Sequence, residues 1–245
     1  MEARFRTPRR VAEHVDLPLR AGAAPPPPAA QPPHAMTLAV LSDLHGYVPS
    51  PAAQAVVDKA DVVCICGDVE SRAMHTLAWI NWLEKPVVLV PGNHDWFLFD
   101  PQGRGVNRGF GPHVRVLIDE GCEVDGVRFW GTPWSPIFFD WAFMLPPDGL
   151  REKFAKIPEG IDVLLCHSPP RIPRSRIDVV EGRRDHCGSA ELAEAVRRAR
   201  PRFLFCGHIH TGSHDPVRLG STLCRNVSYL DESYAPAFLP ALVEI

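Results

Sequence analysis

The chain has 245 residues, of which 45% are hydrophobic and 22% are charged, a composition typical of a globular protein rather than a disordered or fibrous one. Its formal net charge is −3, whereas proteins that wrap a nucleic acid present strongly basic surfaces, so we expect no stable nucleic-acid partner. No stretch approaches the ~18 consecutive apolar residues of a membrane-spanning helix, so we expect no membrane partner either.

The N-terminal residues differ in composition from the rest of the chain. Residues 1–35 combine scattered arginines with the run AAPPPPAAQPPHA at 23–35. A segment of this kind buries little apolar surface, which favours an extended and flexible conformation. We therefore predict a flexible Arg/Pro-rich extension over residues 1–35 and one folded domain over residues 36–245.

From residue 37 onward, short apolar runs alternate with segments that have the apolar spacing of helices. The predicted strands cover residues 37–41, 62–66, 87–90, 114–118, 127–130, 163–166 and 203–206. The predicted helices cover residues 52–60 after Ser50, a segment from Ser71 to Pro86, and a segment from Ser189 to Pro201. Serine favours the position before a helix because its side-chain oxygen accepts a hydrogen bond from a free backbone N–H of the first turn.

One turn in the middle of the chain indicates antiparallel pairing. Asp125-Gly126 separates residues 122–124 from residues 127–130, and this dipeptide is typical of a tight β-hairpin. The other strands are continuously apolar, which is typical of sheets covered on both faces. The pattern predicts an α/β or layered α+β domain with mixed sheets inside and helices outside.

The seven cysteines are odd in number, are irregularly spaced and follow no secretory apolar segment, so we expect reduced thiols in the cytoplasm. Cys64 and Cys66 lie two residues apart in one predicted strand. Residues at that spacing share a strand face, so both are expected to be core side chains rather than a metal or redox pair.

Polar side chains follow five of the predicted strands at the point where each strand ends. They are Asp43, His45, Asp68, Asn93, His94, Asp95, His167, His208 and His210. Ligands of open α/β sheets collect beyond the carboxyl ends of the strands, so we expect these residues to meet in one site. Imidazole and carboxylate ligands suit zinc, manganese or iron. The set is too large for one ion and fits two, with Asp68 able to bridge them.

Two such ions suit the hydrolysis of a phosphate ester. Metal ions about 3.5–4 Å apart lower the pKa of a bridging water and clamp the attacking and leaving oxygens of an in-line phosphoryl displacement. The reaction also needs a proton donor near the leaving oxygen, and an imidazole held by a neighbouring carboxylate is the usual candidate. His94 with Asp95 fits that role.

The ordered motifs DLH, GD, GNHD, H and GHIH, at residues 43–210, resemble those of the calcineurin-like metallophosphoesterase superfamily. Residues 124–136, 157–170 and 201–212 resemble its metallophosphoesterase-domain (MPPED) branch and class III-type phosphodiesterases, which are associated with nucleotide binding and phosphodiester hydrolysis. The resemblance implies a catalytic domain over residues 36–245, folded as a four-layer αββα sandwich of two mixed β-sheets flanked by helices. Asp68 is followed by Val69-Glu70 and not by the second Asp of phosphoprotein phosphatases, which argues against that activity.

The resemblance also implies a role for each polar residue. It makes Asp43, His45 and His210 ligands of one metal ion, makes Asn93, His167 and His208 ligands of the other, and makes Asp68 the bridge. It places Asn93 and His94 at the substrate phosphate, with Asp95 behind His94. The implied cofactors are two divalent or trivalent ions, Mn²⁺, Fe²⁺/Fe³⁺ or Zn²⁺.

The leading hypothesis is a phosphodiesterase that hydrolyses nucleotide esters, cyclic nucleotides among them, through a hydroxide that bridges the two metal ions. The alternatives are a nucleotide-binding or scaffold protein that keeps the metals and turns over negligibly, or a phosphomonoesterase. The other histidines are expected in the tail or on the surface: His14, His34, His75, His113, His186 and His214. The aromatic-rich residues 129–141 either belong to the core or wall a base-stacking pocket, and the arginine-rich residues 171–186 either approach the phosphate or form a solvated loop.

Overall fold

The computed structural model describes residues 35–70, 75–100, 109–180, 182 and 185–245. The strands are β1 (Thr37–Leu41), β2 (Val62–Ile65), β3 (Val87–Leu89), β4 (Val114–Val116), β5 (Glu120–Val124), β6 (Val127–Thr132), β7 (Ser135–Pro136), β8 (Met144–Leu145), β9 (Val163–Cys166), β10 (Phe203–Cys206), β11 (Val217–Leu219), β12 (Thr222–Asn226) and β13 (Ala241–Glu244). The helices are α1 (Pro51–Val57), α2 (His75–Trp82), α3 (Pro147–Phe154) and α4 (Ala190–Ala199), and Trp96–Leu98 forms a 3₁₀ turn. The predicted extension, apart from Ala35, lies outside the described residues, as do Ser71, Arg183 and Arg184.

The first sheet has five strands in the order β13-β1-β2-β3-β4. β1, β2, β3 and β4 are parallel, and β13 is antiparallel to β1. Val40 lies opposite Cys64 of β2 on one side and opposite Ala241 of β13 on the other. The parallel register brings the carboxyl ends of β1, β2 and β3 to the same edge of this sheet.

The second sheet has six strands in the order β11-β12-β10-β9-β6-β5. Its four central strands are parallel, and its two outer pairs, β11 with β12 and β5 with β6, are antiparallel. The β5–β6 pair is the hairpin predicted at Asp125-Gly126, with Val124 opposite Val127. β7 and β8 form a separate parallel pair.

Alternation along each strand divides the core into a layer between the sheets and a layer beneath the helices. Leu38 and Val40 of β1 belong to a buried cluster with Phe129, Leu165 and Phe205 of the second sheet. Cys64 and Cys66 belong to the same cluster, which confirms that they share one strand face inside the core. The intervening residues Ala39 and Leu41 pack in a second cluster that holds the buried faces of the helices. Two mixed sheets flanked by helices confirm the predicted fold class.

The predicted helix starts are confirmed where the structure describes them. Ser50 Oγ accepts from Ala53 N at 3.3 Å ahead of α1, and Ser189 Oγ accepts from Leu192 N at 3.0 Å ahead of α4. The seven predicted strands all form, with ends that move by one or two residues. Among the described residues, no helix has the length and apolar content needed to cross a bilayer.

Candidate metal centre

Eight of the nine predicted site residues meet where the carboxyl ends of strands from the two sheets converge. Asp68 lies in the middle, with its Oδ2 atom 3.5 Å from His45 Nε2 and 3.4 Å from His167 Nε2. His94 Nε2 is 4.0 Å from the same oxygen. A carboxylate surrounded by imidazoles from three different loops has the position that a bridging ligand requires.

The remaining residues form two groups near Asp68. In one group, Asp43 Oδ1 is 3.5 Å from His210 Nε2. In the other group, Asn93 Oδ1 and His208 Nδ1 lie 2.9 Å and 3.2 Å from His167 Nε2. Three overlapping groups have ligand atoms within 4.8 Å of one another and are able to hold a metal ion: Asp43 with His45 and His210, His45 with Asp68 and His94, and Asp68 with His167 and His208.

The backbone that carries these side chains adopts an uncommon conformation. Asp43, His45, Asp68 and His208 have φ angles of 56°, 42°, 52° and 68°, in the left-handed region that non-glycine residues seldom occupy. Such residues persist only where the surrounding structure determines them, and they cluster at functional sites. Here the left-handed turns bring side chains from the ends of β1, β2 and β10 together.

Two glycines allow the loops to approach each other. A Cβ atom at Gly92 would overlap Asp68 Oδ1, and one at Gly207 would overlap Ser42 Oγ and Asp43 Oδ2. The motifs GNHD and GHIH therefore need glycine first because the carboxylates occupy the space that a side chain would take.

Backbone carbonyls set the tautomers of two imidazoles. His167 Nδ1 donates to Cys66 O at 2.8 Å, and His210 Nδ1 donates to Asp231 O at 2.9 Å. With Nδ1 protonated, Nε2 carries a lone pair directed at the site, as metal-ligating histidines require.

Asp43 is held by groups that sequence reasoning missed. Its Oδ2 accepts from Ser228 Oγ at 2.7 Å, and both oxygens lie 3.1 Å from His208 N. Ser228 Oγ also lies 2.9 Å from Asn226 Oδ1. Ser228 and Asn226 follow the last recognisable motif, so no sequence signal linked them to a site nearly two hundred residues earlier.

The predicted contact between Asp95 and the His94 ring is wrong. Asp95 is buried, and its carboxylate accepts from the backbone N–H groups of Gly92, Val69 and Glu70 at 2.7, 3.0 and 3.2 Å. Three N–H donors from two loops hold this carboxylate away from the imidazole. Asp95 therefore ties the loop after β3 to the loop after β2.

His94 lies instead between the cluster and an aromatic side chain. Its ring centroid is 4.3 Å from that of Trp141 and 4.8 Å from that of His45, and its backbone N–H donates to Asp68 Oδ1 at 2.8 Å. Within the aromatic-rich segment, Phe129 is in the core, whereas Trp141 and Phe138 lie beside site imidazoles, and the base-stacking pocket stays a prediction.

The mutual charges of the cluster shift its ionisation. Burial opposes ionisation of Asp43 and Asp68, but hydrogen bonds and the positive charge of neighbouring imidazoles lower the pKa of each carboxyl overall. Burial likewise opposes protonation of His167, but Asp68 and Asp43 raise its pKa to about 9. Burial and the proximity of His167 lower the pKa of His208 to about 3. Asp43 and Asp68 therefore stay ionised, as ligands of a cation must, and a cation bound at His167 Nε2 would displace the proton held there.

The donor set fits metal ions. His45 Nε2 is buried without a hydrogen-bond partner among the described residues, although it points at Asp68 Oδ2. His167 Nε2 and His208 Nδ1 face each other at 3.2 Å, and a bound cation satisfies two such lone pairs together. Carboxylate, amide and imidazole donors without a thiolate suit Mn²⁺, iron or Zn²⁺.

The site opens into a cavity of about 170 Å³. Its lining includes the buried Asp68 and Asn93 and the half-buried His94 and His208. The exposed side chains of the lining, Phe138, Glu232 and Tyr234, define its mouth, and the Tyr234 ring packs 4.8 Å from the His45 ring.

Three of the histidines expected on the surface are only partly exposed and contact other parts of the fold, and His113 Nε2 lies 3.1 Å from Ile80 O. His214 is half-buried, with its ring centroid 3.9 Å from that of Phe238. His186 Nδ1 lies 2.9 Å from the buried Asp178. A local polar sequence does not reveal these tertiary contacts. His14 and His34 lie outside the described residues.

The site and fold agree with a family match. The chain belongs to the calcineurin-like phosphoesterase family, which matches residues 36–212. This is a family of phosphoric ester hydrolases that use divalent metal ions, and the clusters around Asp68 are able to hold such ions.

Individual relatives cover parts of the chain. Metallophosphoesterase domain-containing protein 1 of Homo sapiens is 37% identical over 131 residues, 53% of this chain and 39% of that protein, and its Mus musculus counterpart matches to the same extent. One solved crystal structure superposes with a TM-score of 0.59 and 14% identity over 86% of this chain and 99% of that one. A Staphylococcus aureus protein assigned as a 5′-nucleotidase, in complex with α-ketoglutarate, superposes with a TM-score of 0.53 and 14% identity over 85% of this chain and 54% of that chain. At this identity the structures support the fold alone.

Proposed function

We propose that this protein is a dinuclear metal-dependent phosphodiesterase that hydrolyses nucleotide diesters, cyclic nucleotides among them. The observation that carries the proposal is Asp68, whose Oδ2 atom lies 3.5 Å from His45 Nε2 and 3.4 Å from His167 Nε2. These two imidazoles belong to different groups of candidate ligands, so one carboxylate shared by both groups suits a site for two metal ions.

In this proposal seven side chains would hold Mn²⁺, iron or Zn²⁺. Asp43, His45 and His210 would hold one ion, Asn93, His167 and His208 would hold the other, and Asp68 would contribute to both. When bound, two such ions supply Lewis acidity to the phosphate and activate water as the nucleophile. The chain contributes the positions of the donors, which the left-handed turns and the carbonyl contacts of His167 and His210 fix.

His94 is the proposed proton donor. Its Nε2 atom is directed into the cavity near Asp68, and its ring rests on Trp141, which limits its rotation. A proton held at Nε2 reaches the leaving oxygen of an ester bound over the cluster. Asp95 serves the reaction by holding the loop that carries His94 and Asn93.

Aromatic side chains support a nucleotide as the substrate. Phe138 and Tyr234 line the mouth and are half exposed, so part of each ring is available to a group bound in the cavity. Base–aromatic stacking contributes about 1–3 kcal/mol per base in proteins that bind single-stranded nucleic acids.

The location that we propose is the reducing cytoplasm. The thiols of Cys66, Cys166 and Cys206 are buried, and burial raises their pKa values, which suits cysteines that stay reduced.

The test measures metal content and turnover on the same purified protein. Protein purified with Mn²⁺, Fe²⁺ or Zn²⁺ is analysed by elemental analysis and then assayed on bis(p-nitrophenyl) phosphate, on 2′,3′- and 3′,5′-cyclic nucleotides, and on AMP and GMP. We expect two ions per chain and hydrolysis of diesters. Protein that holds two ions, binds AMP or GMP by calorimetry and cleaves no ester would instead be a nucleotide-binding protein.

A further inference from the structure

A turn near the C-terminus completes the mouth of the cavity. Residues 231–235 lie beyond the part of the chain that the family match covers. Asp231 Oδ1 holds the turn by accepting from Ser233 N at 2.9 Å and from Ala235 N at 3.0 Å, while its carbonyl accepts from His210 Nδ1. Two of the turn's side chains, Glu232 and Tyr234, line the cavity. The turn therefore couples a predicted metal ligand to residues that face the substrate.

Among the described residues, the charged side chain that lines the mouth is the carboxylate of Glu232. Glu232 is exposed, and its Oε1 atom accepts from Thr211 Oγ1 at 3.0 Å, which holds the carboxylate beside the cavity. Within the described part of the chain, no lysine or arginine lines the same cavity. An ester group that leaves the cavity passes a carboxylate, with no described side chain of opposite charge to offset it.

We propose that Glu232 is a specificity-determining residue that favours monoanionic phosphodiesters over dianionic phosphomonoesters. A diester carries one negative charge at neutral pH, whereas a monoester carries nearly two above its second pKa of about 6. Glu232 repels the second charge more than the first, because the interaction of two charges scales with their product. The inference rests on the proposed function, since it assigns selectivity to the same site.

The experiment compares two esters that share a leaving group. The ratio of kcat/KM for bis(p-nitrophenyl) phosphate to that for p-nitrophenyl phosphate is measured at pH 8 for the Mn²⁺-loaded full chain, for Glu232→Gln and for Glu194→Gln. Glu194 is exposed on α4, so its variant makes the same change in net charge away from the turn. Glutamine keeps an oxygen that can accept from Thr211. We expect Glu232→Gln to lower the diester preference about threefold to tenfold and Glu194→Gln to leave it within twofold.

Salt separates a charge effect from a structural one. Raising NaCl from 50 to 500 mM screens exposed charges, so the difference between wild type and Glu232→Gln is expected to shrink at least twofold. A ratio that does not change in Glu232→Gln, that changes equally in Glu194→Gln, or that is insensitive to salt overturns the proposal.

A binding measurement keeps this inference separate from the proposed function. Calorimetric titration of inorganic phosphate into the same Mn²⁺-loaded proteins requires no turnover, and we expect Glu232→Gln to bind phosphate about threefold to tenfold more tightly than wild type. If wild type cleaves neither ester, the proposed function fails, and phosphate affinity alone decides whether Glu232 repels the dianion. Equal phosphate affinities in wild type and Glu232→Gln overturn the inference.

Discussion

At the scale of single residues, the sequence predicts which residues lie at a strand end, but it does not predict the direction in which each side chain points. His45 and His94 follow strands that end at the same edge, so their meeting at Asp68 follows from the topology. Asp95 follows the same strand, yet its carboxylate turns to the N–H groups of Gly92, Val69 and Glu70. Sequence spacing fixes where a residue lies along the chain, but the loop conformation that turns it belongs to the tertiary structure.

Replacing His94 separates proton donation from metal binding. We predict that His94→Ala keeps both metal ions, because Asp68 retains His45 and His167 as neighbours. Removal of a general acid typically lowers turnover about 10²–10⁴-fold, so kcat on a cyclic nucleotide, whose alkoxide leaving group needs a proton, should fall by that order. Elemental analysis and steady-state kinetics check the two parts, and loss of a metal from His94→Ala would make it a ligand instead.

His214 makes the stability of the fold depend on pH. Burial and the nearby Arg225 lower the pKa of His214 to about 4, and its Nε2 atom is buried without a hydrogen-bond partner among the described residues. An unfolded chain protonates this imidazole below pH ~6.5 while the folded chain keeps it neutral until about pH 4. The folded state therefore loses stability as pH falls through this window.

We predict that wild type loses about 1–2 kcal/mol more than His214→Gln between pH 7.5 and pH 4.5, a value reduced for the partial exposure of the ring. Urea unfolding of both proteins at both pH values measures the difference. Because His214→Gln retains every other titrating group, the difference between the two proteins is assigned to His214. Equal losses in the two proteins would show that His214 does not titrate in this way.

At the scale of secondary structure, continuous apolar runs were enough to predict β1, β2, β3, β9 and β10. These strands are buried on both faces, so their sequences carry a strong signal. β11 and β12 combine apolar with polar residues over a few positions and form because they pair with each other and with β10. Because Asn226 ends β12 and Ser228 follows it, missing this strand also hid the support of Asp43.

The start of α4 gives an element-scale prediction. Ser189 is buried, and its Oγ atom accepts from Leu192 N at 3.0 Å, so Ser189→Ala leaves that N–H without a partner inside the protein. Loss of an N-cap costs about 1 kcal/mol. Chemical unfolding of Ser189→Ala should show a decrease of this size, and the exposed Ser221→Ala should show less than about 0.5 kcal/mol. Equal stability of the two variants would mean that the cap contributes nothing.

At the scale of the whole molecule, the two ends of the described domain meet at one edge of the first sheet. Met36 N donates to Ile245 O at 3.2 Å, and Ile245 N donates to Met36 O at 2.9 Å. β13 then continues along β1 from Val243 opposite Leu38 to Ala241 opposite Val40. β1 leads directly into Asp43, so the last strand of the chain supports the first predicted ligand.

Two truncations test where the folded domain begins and ends. A chain that starts at Met36 keeps every described backbone contact of β1, so we predict a melting temperature within about 3 °C of the full chain and an unchanged content of metal.

A chain that stops at Pro240 lacks β13, which uncovers the edge of β1 and exposes Leu38 and Val40, which are fully buried. Loss of this burial should cost several kcal/mol, since a core aliphatic side chain contributes about 1.5–3 kcal/mol when it is removed from water. Differential scanning calorimetry and elemental analysis measure both chains. A destabilised Met36 chain would place residues 1–35 inside the folded unit, and a stable Pro240 chain would show that β1 holds Asp43 without its outer neighbour.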